Sequence, residues 1–406
     1  MTAAKVRFNP FDAGFRRDPY PLYRQLRETE PVHRALGTWV LTRHADVRAV
    51  LRDRTFSAGL IPRLVAQHAG RLTGSAVDRI ERLGRGSLVF TDNPDHARLR
   101  GLVNRAFSPR AVARLRPLAH RIVDEQAGRA SADGGMDLIA ALAAPLPVAV
   151  LGEWMGLPAH LRAHVAAWTN DIRFLLEPGL MRADDFGRVG EVVETFVAAL
   201  TEVVRDRARR PGHDLVSALL AARTAGGDRL GEEELVFLCI MCFVAGNETT
   251  KSVIGNGMLA LLRHPQQAAA LAGRPDLVPG AVAEALRYDS PLQLTKRVAT
   301  RDVELDGHRI AEGDQVLLCL GAANRDPAVF ARPDTFDITR DTGGHLAFGH
   351  GMHGCLGGLL AQTLAEVAVE HLSRLDLEPA GDLAWQDHSF IVRGLTALPV
   401  TVRGTR

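Results

Sequence analysis

The strongest constraint on the fold is a long apolar stretch in the middle of the chain. Apolar residues recur with helical spacing from about Glu232 to His264, which predicts one helix on the order of 50 Å long. Its most apolar part, Leu235 to Ala245, has eleven residues, too few to cross a bilayer, which needs ~20. We expect Gly246 to interrupt the helix, at a cost of about 1 kcal/mol relative to alanine. The polar run that follows is either the point where the helix leaves the core or a functional site.

Most of the remaining chain carries the same helical periodicity, and only short segments alternate as strands do. Helices are predicted, among others, at 111–130, 190–209 and 355–375, and strands at 37–44, within 302–320 and in the tail at 394–403. No internal repeat or glycine- and serine-rich linker divides the chain. The sequence therefore predicts one mainly helical domain with a small β portion.

The composition is that of a globular protein without a disulfide framework. Apolar residues make up 46% of the 406 residues, and the formal net charge of +2 favours neither nucleic acid nor a membrane surface. Four cysteines are too few for a disulfide scaffold in a chain of this length. Residues 1–21 have no apolar core and do not resemble a signal peptide. We expect a soluble cytoplasmic protein.

A glycine-rich loop at residues 348–358, FGHGMHGCLGG, contains Cys355. An apolar helical pattern starts directly after this cysteine, so we expect it at a helix N-terminus, where free N–H groups and the helix dipole favour a thiolate. Three interpretations are open. The loop is a turn with an inert buried cysteine, or a zinc site of His350, His353 and Cys355, or it holds haem iron through one thiolate. No second ligand pair nearby supports zinc.

This loop resembles the haem-binding loop of the bacterial cytochrome P-450 monooxygenases. The residues that carry the resemblance are Phe348, Gly349, Gly351, His353, Cys355 and Gly357. The sequence departs from the usual pattern at Gly358, where alanine is common, and at Gln362, where arginine is common, and neither change removes a ligand. The resemblance implies haem b with Cys355 as its axial thiolate, and Phe348 and Gly357 among the residues that bind the cofactor.

The centre of the long helix resembles the A-G-x-[DE]-T segment of the same family. The resemblance implies that Ala245 and Gly246 leave room for O2 beside the haem. It further implies that Thr249 supplies an alcohol and Glu248 an acid for proton delivery. Asn247 falls at the variable position of the pattern.

Cys239 and Cys242 form a C-x-x-C pair in the same helix. Phe243 follows where a c-type haem attachment needs histidine, and no second pair supports zinc. We expect two buried thiols.

Glu284 and Arg287 match the E-x-x-R motif of the family, which implies a buried structural pair on the cysteine side of the haem. The family commonly adds an arginine where this chain has Thr335. Arg332 and Arg340 are the candidates to replace it.

The two haem propionates need cationic partners. The resemblance assigns His96 and Arg100 from an H-x-x-x-R segment, Arg297 from LTKRVA, and His353 from the cysteine loop. Four donors for two carboxylates are chemically sensible, because charge-assisted hydrogen bonds are the strong ones.

The resemblance extends from about Asn9 to Thr401 and implies the cytochrome P-450 fold, with one haem domain over residues 1–406 and no fused reductase. It implies an enzyme that activates O2 and inserts one oxygen atom into a C–H or C=C bond. We expect a monomer. A peroxide-using haem-thiolate enzyme and a haem sensor or carrier are the alternatives, and the presence of both Thr249 and Glu248 favours the O2 pathway.

Electrons must then come from a separate ferredoxin or flavodoxin. Between His96 and Val123 the chain has seven arginines and no acidic residue: Arg98, Arg100, Arg105, Arg110, Arg114, Arg116 and Arg121. This stretch is either an ordinary basic helix surface or a docking face for an acidic electron donor. Nucleic acid is disfavoured because no aromatic residues are interleaved.

By analogy with the family, the substrate pocket draws on residues 58–90, 165–190, 292–296 and 390–394. These stretches are mostly aliphatic, which favours a bulky apolar substrate such as a polyketide or macrolide, although core packing explains them equally well. The sequence does not distinguish hydroxylation from epoxidation or coupling.

Overall fold

The computed structural model describes residues 6–59, 86–172, 177 and 183–405, and α-helices dominate these parts of the chain. The helices are α1 (Ala13–Arg17), α2 (Tyr20–Thr29), α3 (His44–Arg52), α4 (Asp95–Val103), α5 (Pro109–Ala113), α6 (Arg116–Asp133), α7 (Pro145–Trp154), α8 (Ala159–Ile172), α9 (Ala183–Arg209), α10 (Leu215–Ala221), α11 (Glu232–Arg263), α12 (Pro265–Gly273), α13 (Val278–Tyr288), α14 (Leu320–Ala323) and α15 (Gly358–Leu372). Short 3-10 turns cover Leu88–Phe90, Pro275–Leu277 and Gly351–His353, and a π-turn covers Ile139–Ala143.

The strands form small sheets at the edge of the helical core. They are β1 (Val32–Ala35), β2 (Thr38–Leu41), β3 (Phe56–Ser57), β4 (Gly135–Asp137), β5 (Leu294–Ala299), β6 (Val303–Leu305), β7 (His308–Ile310), β8 (Gln315–Cys319), β9 (Leu375–Pro379), β10 (Ala384–Trp385), β11 (Leu395–Ala397) and β12 (Pro399–Thr405). The largest sheet has the order β1-β2-β8-β5-β3, in which only β2 and β8 run parallel. A three-stranded sheet has the order β4-β12-β9.

Helix α11 is the centre of the core. It packs against α7, α8, α9, α13 and α15, and most of its residues from Leu235 to Leu261 are buried. By length and composition the whole of α11, which is longer than its uninterrupted apolar run, could span a membrane. However, 72% of its most apolar 18-residue segment is buried inside the protein, as is typical of a core helix. The mainly helical fold with small sheets is confirmed.

Three details of the predicted helices are wrong. Helix α11 runs through Gly246 without interruption; a Cβ there would lie 3.2 Å from Leu151 Cδ1, so the glycine allows α7 to pack closely. The predicted helix at 111–130 divides into α5 and α6, because Pro117 in the first turn of α6 has no N–H to donate to the preceding turn. The predicted helix at 355–375 starts only at Gly358.

Candidate functional site

The cysteine loop is folded onto α3. Gly349 and Gly351 have φ of 67° and 71°, which favours glycine, and a Cβ on Gly351 would lie 2.7 Å from the carbonyl oxygen of Leu51. Within the loop, the Cys355 N–H donates to the Phe348 carbonyl at 2.8 Å. The loop therefore presents Cys355 in a fixed backbone conformation.

Cys355 lies three residues before α15, not in its first turn, so the expected position at the helix N-terminus is only approximate. The residue keeps accessible surface although protein surrounds its sulfur. Burial raises the pKa of the Cys355 thiol, and the Gly357 N–H and the charge of Arg100 oppose this rise only in part. A bound cation is what would convert this thiol into a thiolate.

The zinc interpretation of the loop is wrong. Across the described residues, no group of three or more His, Cys, Asp and Glu side chains could hold a metal ion. His350 instead lies near Arg48 and Arg52, and burial together with their charges lowers its pKa.

Four predicted cofactor-binding residues come together beside the loop. His96, Arg100, Arg297 and His353 all line one cavity of about 470 Å³. The His96 and His353 rings meet edge to face with centroids 4.6 Å apart. Burial lowers the pKa of His96 to about 4, with contributions from His353 and Arg100, and burial lowers the pKa of Arg297 to about 10.

These donors have hydrogen-bonding capacity to spare. Among the described residues, the buried Nε2 atoms of His96 and His353 have no hydrogen-bond partner, and His353 Nε2 lies 3.8 Å from Asp92 Oδ1. Arg297 donates to the backbone carbonyl of Lys296 at 2.7 Å, and Arg100 to that of Gly354 at 2.8 Å. A thiol with nitrogen donors beside it suits a ligand that carries both a metal, for the sulfur, and carboxylates, for the donors.

The helix centre faces the same region. Ala245 is exposed, although Val244 and Asn247 near it are buried. The pKa of Cys242, one turn before Gly246, is raised mainly by burial and in addition by the nearby Cys355. The residues of the cysteine loop and of α11 are thus on facing elements.

The predicted acid and alcohol are not bonded to each other. The Thr249 hydroxyl donates to the Ala245 carbonyl at 2.7 Å. Glu248 Oε1 accepts from Lys251 Nζ at 2.8 Å, a contact that the sequence interpretation missed because i,i+3 charge pairs are commonplace. Asn247 donates to the hydroxyl of Thr169 on α8 at 3.3 Å.

Cys239 and Cys242, which lie on α11, are free thiols in the described structure. Cys239 is fully buried and Cys242 is partly buried. Burial raises the pKa of Cys239 well above its usual range and that of Cys242 to about 12. Both are therefore neutral at physiological pH, as predicted.

The missing third member of the buried ion pair is Arg340. Glu284 and Arg287 are fully buried and joined by two hydrogen bonds of 2.7 Å. Arg340 Nε donates to Glu284 Oε1 at 3.2 Å, whereas Arg332 is exposed. Arg340 also donates to the Thr335 carbonyl at 3.1 Å, so it occupies the place left by the usual arginine.

Part of the predicted substrate pocket lies outside the described residues, namely 60–85, 173–176 and 178–182. In the remainder, Leu292 forms an isolated bridge with Val392, which joins two of the predicted stretches. The buried Glu177 accepts from the Phe390 N–H at 2.8 Å and from the Ser389 hydroxyl at 2.5 Å. A carboxylate anchor of this kind has no signal in the sequence.

The seven arginines are not equivalent. Arg98 pairs with Asp228 and Glu234, Arg116 pairs with carboxylates of α15, and Arg100 belongs to the cavity. Within the described residues, four others are exposed and form no ion pair: Arg105, Arg110, Arg114 and Arg121.

Comparison with known proteins finds relatives over nearly the whole chain. A protein-family model described as "Cytochrome P450" matches residues 169–272 and 276–392. Cytochrome P450 107B1 of Saccharopolyspora erythraea is 40% identical over 96% of both chains. Cytochrome P450 monooxygenase PikC of Streptomyces venezuelae is 39% identical over 97% of this chain and 93% of its own. The 6-deoxyerythronolide B hydroxylase of Saccharopolyspora erythraea is 35% identical over 96% of this chain and 98% of its own. The crystal structure of CalO2 superposes with a TM-score of 0.91 at 39% identity, over 98% of this chain and 99% of that one.

Proposed function

The chain belongs to the cytochrome P450 family and is a monooxygenase, and from this premise we propose that it inserts one oxygen atom from O2 into a C–H or C=C bond of a largely apolar secondary metabolite. The observation that carries the proposal is the position of Cys355, beside a cavity lined by His96, Arg100 and Arg297. A cytoplasmic location, one haem domain and a monomeric state are parts of the same proposal.

The family uses haem b with a cysteine thiolate as the axial ligand. We propose Cys355 as that thiolate, with Phe348 and Gly357 among the residues that contact the cofactor. The spare donors of His96, Arg100, Arg297 and His353 suit the two haem propionates.

Once bound, the haem supplies the O2 chemistry, and the residues of this chain supply binding, orientation and protons. His96, Arg100, Arg297 and His353 would hold the carboxylates of the cofactor and so orient it. Ala245 presents a small side chain on the exposed face of α11, and Gly246 next to it has no side chain. Glu248 takes up a proton and passes it to the hydroxyl of Thr249, which lies one residue along the helix.

The substrate proposal rests on the relatives and on the pocket. One relative is named as a hydroxylase of 6-deoxyerythronolide B, and PksS of Bacillus subtilis, 32% identical, is named for polyketide biosynthesis. The described pocket stretches contribute apolar side chains such as Leu292, Phe390, Ile391 and Val392. A polyketide or macrolide presents the matching apolar surface.

An acidic ferredoxin or flavodoxin is the proposed electron donor. Four exposed arginines without an ion pair among the described residues (Arg105, Arg110, Arg114 and Arg121) lie on or beside α5 and α6. Arg105 follows α4, which carries His96 and Arg100 of the cavity, so this basic face is continuous in sequence with the cofactor-binding residues.

The ligand proposal is tested by replacing Cys355 with serine. We expect the absorption band typical of a thiolate-bound, CO-ligated ferrous haem to disappear, because a serine hydroxyl is not a thiolate. C242S is the matched control, since Cys242 is a neutral thiol in the adjoining helix. A normal band in C355S would contradict the proposal. Substrates are then sought by screening apolar macrolides for a shift of the ferric spin state.

The proton-delivery proposal is tested with T249A. We expect electrons to be diverted from product to hydrogen peroxide, because the hydroxyl that passes the proton is gone. T250A is the control, since Thr250 is buried on the next position of the helix. Product and electron consumption would be measured together, and full coupling in T249A would contradict the role of Thr249.

A further inference from the structure

Lys251 and Glu248 form a buried ion pair at the centre of α11. Lys251 Nζ lies 2.8 Å from both carboxylate oxygens of Glu248 and donates its hydrogen bond to Oε1. The two side chains are 10% and 14% exposed. Neither forms another ion pair or side-chain hydrogen bond with a described residue. Placing an ammonium and a carboxylate in the core is costly unless they are paired, so each depends on the other.

Glu248 and Thr249 bond to different partners. Lys251 lies three residues after Glu248 on α11, and its ammonium contacts both oxygens of the carboxylate. The Thr249 hydroxyl donates to the carbonyl of Ala245, one turn earlier. Direct transfer of a proton from Glu248 to Thr249 therefore requires the carboxylate to exchange its contact with Lys251 for one with Thr249.

We propose that Lys251 is a positioning residue that restrains Glu248 and thereby limits the rate of proton delivery to Thr249. The proposal rests on the proposed role of Glu248 and Thr249. In the restrained state the ammonium holds Glu248 as a carboxylate. In the released state the carboxylate takes a proton from solvent and gives it to the Thr249 oxygen, while Thr249 passes its own hydroxyl proton to the oxygen of the O2 that is being reduced. No net proton is gained or lost by either residue.

The test replaces Lys251 with methionine, which keeps most of the length of the side chain and removes the charge. Loss of a charge-assisted hydrogen bond corresponds to roughly tenfold to a hundredfold in an equilibrium, so the freed carboxyl group should reach Thr249 at least roughly tenfold more often. We expect single-turnover product formation, after the reduced protein is mixed with O2 and an excess of reduced ferredoxin that supplies the second electron, to be at least roughly tenfold faster in K251M. Its solvent deuterium isotope effect should fall. K251R keeps a cation and should behave as the parent protein does.

A second readout needs no turnover. The infrared carboxylate band of Glu248 is identified in the resting protein by its loss in E248Q. We expect this band to shift in K251M, measured against the K251M/E248Q double variant, because the ammonium no longer bonds to Oε1. K251Q, which keeps a neutral donor, replaces K251M if the methionine variant does not accumulate as folded protein.

The outcomes separate this proposal from the one it rests on. An unchanged or slower rate in K251M, or a K251R variant as fast as K251M, would overturn the restraint. An unshifted carboxylate band would also overturn it. If E248Q keeps the parent rate and full coupling, the proton-relay function of Glu248 fails instead, and the infrared comparison still tests the contact with Lys251.

Discussion

At the scale of single residues, the buried charge of Glu284 depends on two arginines. Arg287 satisfies both of its carboxylate oxygens, and Arg340 adds a third hydrogen bond from a loop 56 residues further along the chain. Arg287 also donates to the carbonyls of Asn324 and Pro333, so one guanidinium joins α13 to the segment that precedes the cysteine loop. The ion pair of Glu284 and Arg287 therefore also holds the segment before the cysteine loop against α13.

Arg340 and Arg332 offer a matched comparison of a paired and an unpaired arginine. Replacing Arg340 with methionine removes hydrogen bonds to Glu284 and to loop carbonyls, so we expect the free energy of unfolding to fall by about 1 to 3 kcal/mol. R332M should change it by no more than about 0.5 kcal/mol, because Arg332 is exposed. Urea unfolding of the haem-loaded protein measures both. Equal losses would show that Arg340 is not the third partner.

Sequence reasoning identified many of these residues but not their pairings. It named Cys355 and the four cavity residues, because short motifs specify backbone positions. It did not choose between Arg332 and Arg340, and it left out Lys251. The rotamer of a long charged side chain, and the group it bonds to, are determined only when distant elements pack together. The helix-terminus argument for the Cys355 thiolate was too simple, since burial opposes it.

At the scale of secondary-structure elements, glycines in helices have opposite roles depending on what they face. In α13 a Cβ on Gly280 would lie 2.7 Å from the Ile338 carbonyl oxygen, so this glycine allows the backbone of a loop to approach. In α9 a Cβ on Gly187 would meet nothing within 4 Å, and the residue is exposed. Neither position has a positive φ, so space alone distinguishes them.

The same substitution should therefore have opposite effects in the two helices. G187A should stabilise the protein by up to about 1 kcal/mol, because alanine is the better helix former. G280A should destabilise it by about 1 to 3 kcal/mol, since a carbonyl must move. Thermal unfolding of the two variants gives the comparison. A stabilising G280A would mean that the loop at Ile338 yields without cost.

The predicted elements were most accurate where periodicity is long and least accurate at their ends. The bounds of α11 agree with the prediction to within one residue, because 32 residues of apolar spacing average out local exceptions. The break between α5 and α6 was missed although Pro117 is a visible signal for it. The strands β6, β7 and β8 fall within the predicted 302–320 segment, but their partners could not be predicted from local patterns.

At the scale of the whole molecule, the small net charge conceals an uneven surface. Three of the seven arginines between His96 and Val123 are committed to ion pairs or to the cavity. The four that are exposed and unpaired in the described structure give a positive face near α5 and α6. Such a face attracts an acidic partner over about one Debye length, ~8 Å at physiological salt.

Charge reversal tests this face as a whole. R105E should slow reduction by an acidic ferredoxin by roughly tenfold at low salt and much less at high salt, because salt screens the attraction. R301E is the matched control, since Arg301 is also exposed and forms no ion pair among the described residues. Stopped-flow reduction at two ionic strengths measures the effect. A salt-independent loss, or an equal loss in R301E, would contradict the docking proposal.

The long-range strand pairings also have a consequence for how the chain is made. Strand β2 pairs with β8 at Trp39 and Val316, and β4 pairs with β12 at Met136 and Val400. On the ribosome, the second edge of β2 must therefore wait for β8, whose last residue is Cys319, and β4 must wait for β12, which ends at Thr405. Because such distant contacts form slowly, and exposed strand edges invite aggregation, completion of the fold is expected to be largely post-translational.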